Sequence, residues 1–169
     1  MPIDRKFAVF AILLTLGALA AGIYAGWSRP VAPAEVNFIG VRGDQFALSS
    51  LKGKVLLVNF WATSCTVCIS EMPKMVQTFE KYHERGLETV AVAMSYDPPD
   101  RVFAYAQQNK LPFRVTLDIF GKAMRAFGGV RGTPTTFLMD KHGRIVRRWE
   151  GEPDFARLGE LIEKELGKG

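Results

Sequence analysis

Cysteine and histidine are scarce in this 169-residue chain, with two of each. A structural zinc site wants four ligands, and beyond Cys65 and Cys68 only His83 and His142 are at hand to complete one. His83 falls in a helical stretch and His142 in a turn, so both read as ordinary surface or turn residues and no metal is expected. Internal repeats and low-complexity tracts are also absent, which removes solenoids and extended disorder. Charge of one sign is not concentrated either: 22 Lys and Arg stand against 17 Asp and Glu, for a net +5. That excess is scattered as solvated surface rather than gathered into a basic patch, so no nucleic-acid partner is expected. What remains is room for one core of ordinary size and a short appendage.

The appendage is the longest stretch without charge. Phe7 to Trp27 carries no Asp, Glu, Lys or Arg, and a helix of that length, rising ~1.5 Å per residue, crosses a hydrocarbon core of ~30 Å. Arg5 and Lys6 precede it and only Arg29 follows closely. The positive-inside tendency therefore keeps residues 1–6 in the cytoplasm, makes 7–27 a transmembrane anchor and exports the remainder. A cleaved signal peptide is the competing reading, since Ala18-Leu19-Ala20 and Ala32-Pro33-Ala34 resemble small-residue cleavage sites, although the apolar run is longer than an ordinary signal core. Both readings export the domain. Pro30 and Pro33 mark 28–34 as a linker, and the folded domain is expected over 35–169.

Within that domain Lys54 to Trp61 is a nearly continuous apolar run, the pattern of a strand covered on both faces. A helix follows from Thr66 to about Arg85, with Met72, Met75, Val76 and Phe79 at helical spacing and Gly86 as its stop. Leu87 to Met94 is a second buried strand, so the three elements form a parallel β-α-β unit. Asp97-Pro98-Pro99-Asp100 announces a helix over Arg101 to Asn109. Phe113 to Leu117 reads as a strand and Lys122 to Phe127 as a short helix. Thr135–Met139 and Arg144–Trp149 flank Asp140-Lys141-His142-Gly143 as an antiparallel hairpin. A helix from Pro153 to about Leu166 ends the pattern.

Cys65-Thr66-Val67-Cys68 stands where the first strand passes into the first helix. Unpaired N–H groups and the positive end of the helix dipole favour a thiolate there and lower its pKa below the usual ~8.5. Cys65, at the open end, is the expected nucleophile. Cys68, three residues on and on the same face, is placed to attack a mixed disulfide and release the product. A purely stabilising disulfide is the bland alternative, but closing so short a loop inside a helix contributes little.

The run Val58-Asn59-Phe60-Trp61-Ala62-Thr63-Ser64-Cys65-Thr66-Val67-Cys68, with Gly132-Thr133-Pro134-Thr135-Thr136-Phe137 downstream, resembles the thioredoxin superfamily. The similarity covers roughly Val36 to Leu166 and is strongest to the membrane-anchored TlpA/ResA-like branch. It implies an α/β thioredoxin-like fold, a central mixed sheet with helices on both faces, behind one N-terminal transmembrane helix. It further implies a cis bond at Thr133–Pro134, which leaves the Thr133 backbone free to pair with an extended target beside Cys65. Trp61 is expected partly as core and partly as a wall of the substrate site, with Thr133 and Pro134. Glu71, one turn beyond Cys68, matches a glutamate of ResA-like members and is the expected proton-exchanging group, because Asn59 replaces the buried Asp of thioredoxins and an amide takes up no proton.

The function so implied is dithiol-disulfide exchange with exported protein substrates, as a reductant, for example in cytochrome c maturation, resupplied by a membrane electron donor of the CcdA/DsbD type. No cofactor is expected beyond the Cys65–Cys68 couple. Two departures bear on target and driving force: Ser64 stands where many relatives carry Trp, and Thr66-Val67 differs from the usual Gly-Pro or Glu-Pro pair. Two alternatives stay open. A thiol peroxidase would want Thr three and Pro seven residues before its cysteine, where Cys65 has Ala62 and Val58, and Cys68 has Cys65 and Trp61. A copper-binding chaperone would draw on two thiolates suited to Cu(I), yet relatives of that kind use a wider cysteine spacing and a distal His.

Overall fold

The computed structural model describes residues 15–17, 19 and 36–168. The expected anchor at 7–27 thus lies outside the described residues, save Thr15, Leu16, Gly17 and Leu19, which are helical; residues 1–6 and the linker lie outside them altogether. No helix among the described residues is long and apolar enough to cross a membrane.

Seven strands form one mixed sheet: β1 (Asn37–Gly40), β2 (Gln45–Ala47), β3 (Val55–Trp61), β4 (Leu87–Ala93), β5 (Arg114–Leu117), β6 (Thr135–Met139) and β7 (Ile145–Glu150), in the order β2-β1-β5-β4-β3-β6-β7. β3, β4 and β5 run parallel and the other pairings are antiparallel. The helices are α1 (Thr66–Tyr82), α2 (Pro99–Gln108), α3 (Lys122–Ala126) and α4 (Phe155–Leu166), with 3-10 turns at Leu48–Leu51 and His83–Arg85. The expected α/β fold with a mixed sheet is present.

The apolar run of β3 explains its central place, because every residue in it is buried. Side chains alternate across the pleat. Val55, Leu57 and Trp61 join α1, α2 and α4 residues such as Met75, Val102 and Ile162 on one face. Leu56, Val58 and Phe60 pack on the other face with Leu51, Ala123 and Phe127. Helices therefore cover both faces, as expected. Gly86 ends the long helical segment with φ +106°, a left-handed conformation that suits glycine. α4 starts where Asp154 accepts the N–H groups of Ala156 and Arg157.

Two differences from the sequence reading stand out. The hairpin of β1 and β2 was not anticipated, since its strands have four and three residues and offer too short a pattern for a period of two. α1 stops at Tyr82 rather than Arg85, its last turn tightening into the 3-10 segment.

Candidate active site

The parallel strands β3, β4 and β5 all point their C-terminal ends toward one edge of the domain, and β6 begins at that same edge. β3 leads there into Ala62, Thr63 and Ser64 and then into α1, whose N-terminal cap is Cys65. Cys65 and Cys68 form a disulfide with Cα atoms 5.2 Å apart. The Cys68 N–H donates to the Cys65 sulfur at 3.2 Å, and the first turn of α1 holds no acidic residue to offset the helix dipole. Cys65 is half-buried, whereas Cys68 has 0% exposure. An approaching sulfur therefore meets Cys65. Once the pair is reduced, the Cys68 N–H is already in place to stabilise a thiolate on Cys65.

Behind the cysteines lies a buried polar cluster. Glu71 sits on the side of α1 that faces the sheet, with 0% exposure. The Asn59 Nδ2 donates to Glu71 Oε1 and to Thr136 Oγ1, each at 2.9 Å. Asn59 and Thr136 are register partners on β3 and β6, so the sheet itself sets their meeting. Burial pushes the Glu71 carboxyl up to about 7; the Asn59 hydrogen bond opposes that rise, Glu152 adds to it and Lys74 reduces it. Asn59 Oδ1 and Glu71 Oε2 are unpaired. Asn59 thus takes no proton but orients the group that does. Pro73 lies inside α1 just after Glu71, and its missing N–H leaves the Ile69 carbonyl without the usual helical donor.

The Thr133–Pro134 peptide is cis, in line with the resemblance. Register pairing of Phe60 with Thr135 sets Pro134 opposite the end of β3, at the edge that carries the cysteines. Thr133 is half-buried and Pro134 buried.

Trp61 behaves differently from its expected part as a substrate wall. It has 0% exposure and belongs to the packed cluster containing Cys68, with its ring 5.3 Å from that of Tyr105. No part of it is open to a docked protein, because the alternation of β3 turns it beneath α1 and α2. Its contribution is packing.

Sequence reasoning missed a clamp beside the cysteines. Asp97, only 5% exposed, accepts the Thr63 backbone N–H and hydroxyl, both at 2.6 Å. It ties the loop after β4 to the loop before Cys65. Next to it Tyr96 extends its hydroxyl to 3.4 Å from Thr133 Oγ1. A buried Asp could have been suspected only from its place just past a buried strand, a position that also suits an ordinary turn.

A mixed sheet with a disulfide-bonded cysteine pair at a strand-to-helix junction and a cis-proline at the same edge defines a thioredoxin-like redox protein. The chain belongs to the AhpC/TSA family, whose model matches residues 30–148. It is 32% identical over 166 residues to the thiol-disulfide oxidoreductase ResA of Bacillus thuringiensis subsp. konkukian, covering 94% of each chain. Among solved structures, a putative thioredoxin from Neisseria meningitidis is 34% identical, with a TM-score of 0.74 over 83% of this chain and 91% of the other. A putative thiol:disulfide interchange protein DsbE from Chlorobium tepidum is 30% identical, with a TM-score of 0.75 over 82% and 97%. The protein is a thiol-disulfide oxidoreductase, and Cys65 and Cys68 are its disulfide-bonded pair.

Proposed function

We propose that the protein is an exported, membrane-tethered reductant, with cytochrome c maturation as its setting. The observation that carries the exchange chemistry is the asymmetry of the pair, an accessible Cys65 before a buried Cys68. Cys65 attacks one sulfur of a target disulfide and forms a mixed disulfide with it. Cys68 then attacks Cys65, and the target leaves as a dithiol. Glu71, whose carboxyl is raised to about 7, is suited to exchange protons with the thiols near neutral pH. The backbone at Thr133, held by the cis bond to Pro134, pairs with the target segment.

Export and tethering rest on the uncharged segment from Phe7 to Trp27 behind Arg5 and Lys6, with 1–6 in the cytoplasm, 28–34 as linker and 35–169 as the catalytic domain. The direction of electron flow rests on similarity to ResA and DsbE proteins, and it requires a membrane donor of the CcdA/DsbD type. This reading includes no cofactor besides the Cys65–Cys68 couple. The peroxidase alternative still lacks its Thr and Pro before either cysteine. For the copper alternative, the described residues hold no group of three or more His, Cys, Asp or Glu placed to share a metal.

A measured reduction potential tests the direction. A value well below ~−200 mV supports a reductant, and a value near ~−120 mV, that of a strong oxidant, overturns it.

A further inference from the structure

Large apolar side chains are exposed at few places in the folded domain. Among residues 36–168 they are Val67, Tyr96, Phe103, Ile119 and Phe120. All but Phe103 stand at the edge that carries the cysteines: Val67 between them, Tyr96 in the loop after β4, and Ile119 with Phe120 in the loop after β5. Sheet order places these loops side by side, running β6, β3, β4, β5 from Pro134 past Cys65 to Phe120. Three strand spacings of ~4.8 Å make about 14 Å, the reach of four or five extended residues. Ser64, exposed and small, offers no apolar surface of its own.

Both loops are held in place. Asp97, beside Tyr96, is fixed to Thr63 at 2.6 Å through each oxygen. Asp118, beside Ile119, is 6% exposed and accepts the N–H groups of Ala123 and Met124 at 3.0 and 2.8 Å. A strip of exposed apolar groups on two pinned loops is preorganised to bind rather than to fold back into a core.

We propose that Tyr96, Ile119 and Phe120 form the specificity strip of the enzyme and read an apolar, extended segment flanking the cysteine of the target. Tyr96 is its central contact, a residue 60% exposed with its hydroxyl 3.4 Å from Thr133 Oγ1. This rests on the exchange reaction above. The Cys65 thiolate forms a bond to one target sulfur and the target S–S bond breaks. Cys68 then attacks the Cys65 sulfur, forming the Cys65–Cys68 disulfide and breaking the bond to that same target sulfur, so that two electrons and two protons have passed from the enzyme dithiol to the target.

The test uses the reduced full-length protein in detergent and three peptides with an internal disulfide, identical except for leucine, serine or aspartate beside the cysteines. The wild type should reduce the leucine peptide about tenfold faster than the aspartate peptide. Tyr96→Ala should slow the leucine peptide by about tenfold and bring the three rates within about threefold of one another, while Tyr96→Phe stays within about threefold of wild type. Exchange with dithiothreitol should be unchanged in both variants, because it needs no flanking contact. Equal rates on all three peptides with the wild type, or a parallel loss with dithiothreitol in Tyr96→Ala, overturns the strip. Reduction of none of the peptides by the wild type contradicts the exchange reading itself.

Discussion

The two faces of β3 differ in kind. Leu56, Val58 and Phe60 enter a largely apolar layer, in which the buried Thr135 beside Phe60 bonds only to the Gly132 carbonyl and Phe60 meets Phe127 and Phe137 edge-on at 5.4 and 5.9 Å. On the opposite face the row Val55, Leu57, Asn59, Trp61 is broken by an amide that bonds Glu71 and Thr136. One side of the strand stabilises the domain and does little else. The other accepts the cost of burying polar groups, and it does so directly beneath the cysteines. Chemistry and stability are therefore separated by the pleat of a single strand.

That separation can be broken most forcefully from the apolar side. Phe60→Ala should cost about 3–5 kcal/mol in urea unfolding, through lost burial and a cavity, while the folded fraction keeps its exchange rate with dithiothreitol. A loss of rate in the folded fraction would show that the faces are not independent.

Glu71→Gln should have the next largest effect, and it should depend on pH. Below the unfolded value of 4.5 the carboxyl is protonated in both states. As pH rises toward 7 the unfolded chain ionises while the folded chain holds its proton, so stability falls. The glutamine does not titrate. Relative to wild type, Glu71→Gln should therefore gain roughly 3 kcal/mol between pH 4 and pH 8. The same variant should lose whatever part of the pH–rate profile has its midpoint near 7. A stability difference that does not vary with pH would contradict the buried carboxyl.

The smallest effect belongs to Thr136→Val, which removes one acceptor from Asn59 and should cost about 1 kcal/mol. Its signature is selective: the midpoint assigned to Glu71 should move, since Asn59 is then free to bond the carboxyl differently, while the rate at its optimum changes less.

The apolar side of this contrast was plain in the sequence and the polar side was not. Continuous runs at 55–61 and 87–93 mark buried strands by themselves, and the placement of Cys65 and Cys68 at a strand-to-helix junction follows from those runs. Asn59 was legible as an amide in an apolar run, but its partners are 12 and 77 residues away. Only the register of β3 with β6 and the facing of α1 bring them together. Trp61 was expected partly as core and partly as a wall of the substrate site; the alternation of β3 leaves it only the first part, with 0% exposure. The Asp97–Thr63 clamp spans 34 residues and carries no local signature, and the β1–β2 hairpin was too short to announce itself. Local pattern reveals elements, whereas side-chain partnerships across the sheet come from topology.

The central claim is that Cys65 alone meets the target while Cys68 waits behind it. It is tested most directly by exposing the Cys68→Ser and Cys65→Ser variants of the full-length protein to a peptide disulfide and identifying the mixed disulfide by mass spectrometry. The account predicts a stable peptide adduct on Cys65 in the Cys68→Ser protein and almost none on Cys68 in the Cys65→Ser protein. Equal labelling of the two, or an adduct on Cys68 only, would contradict it.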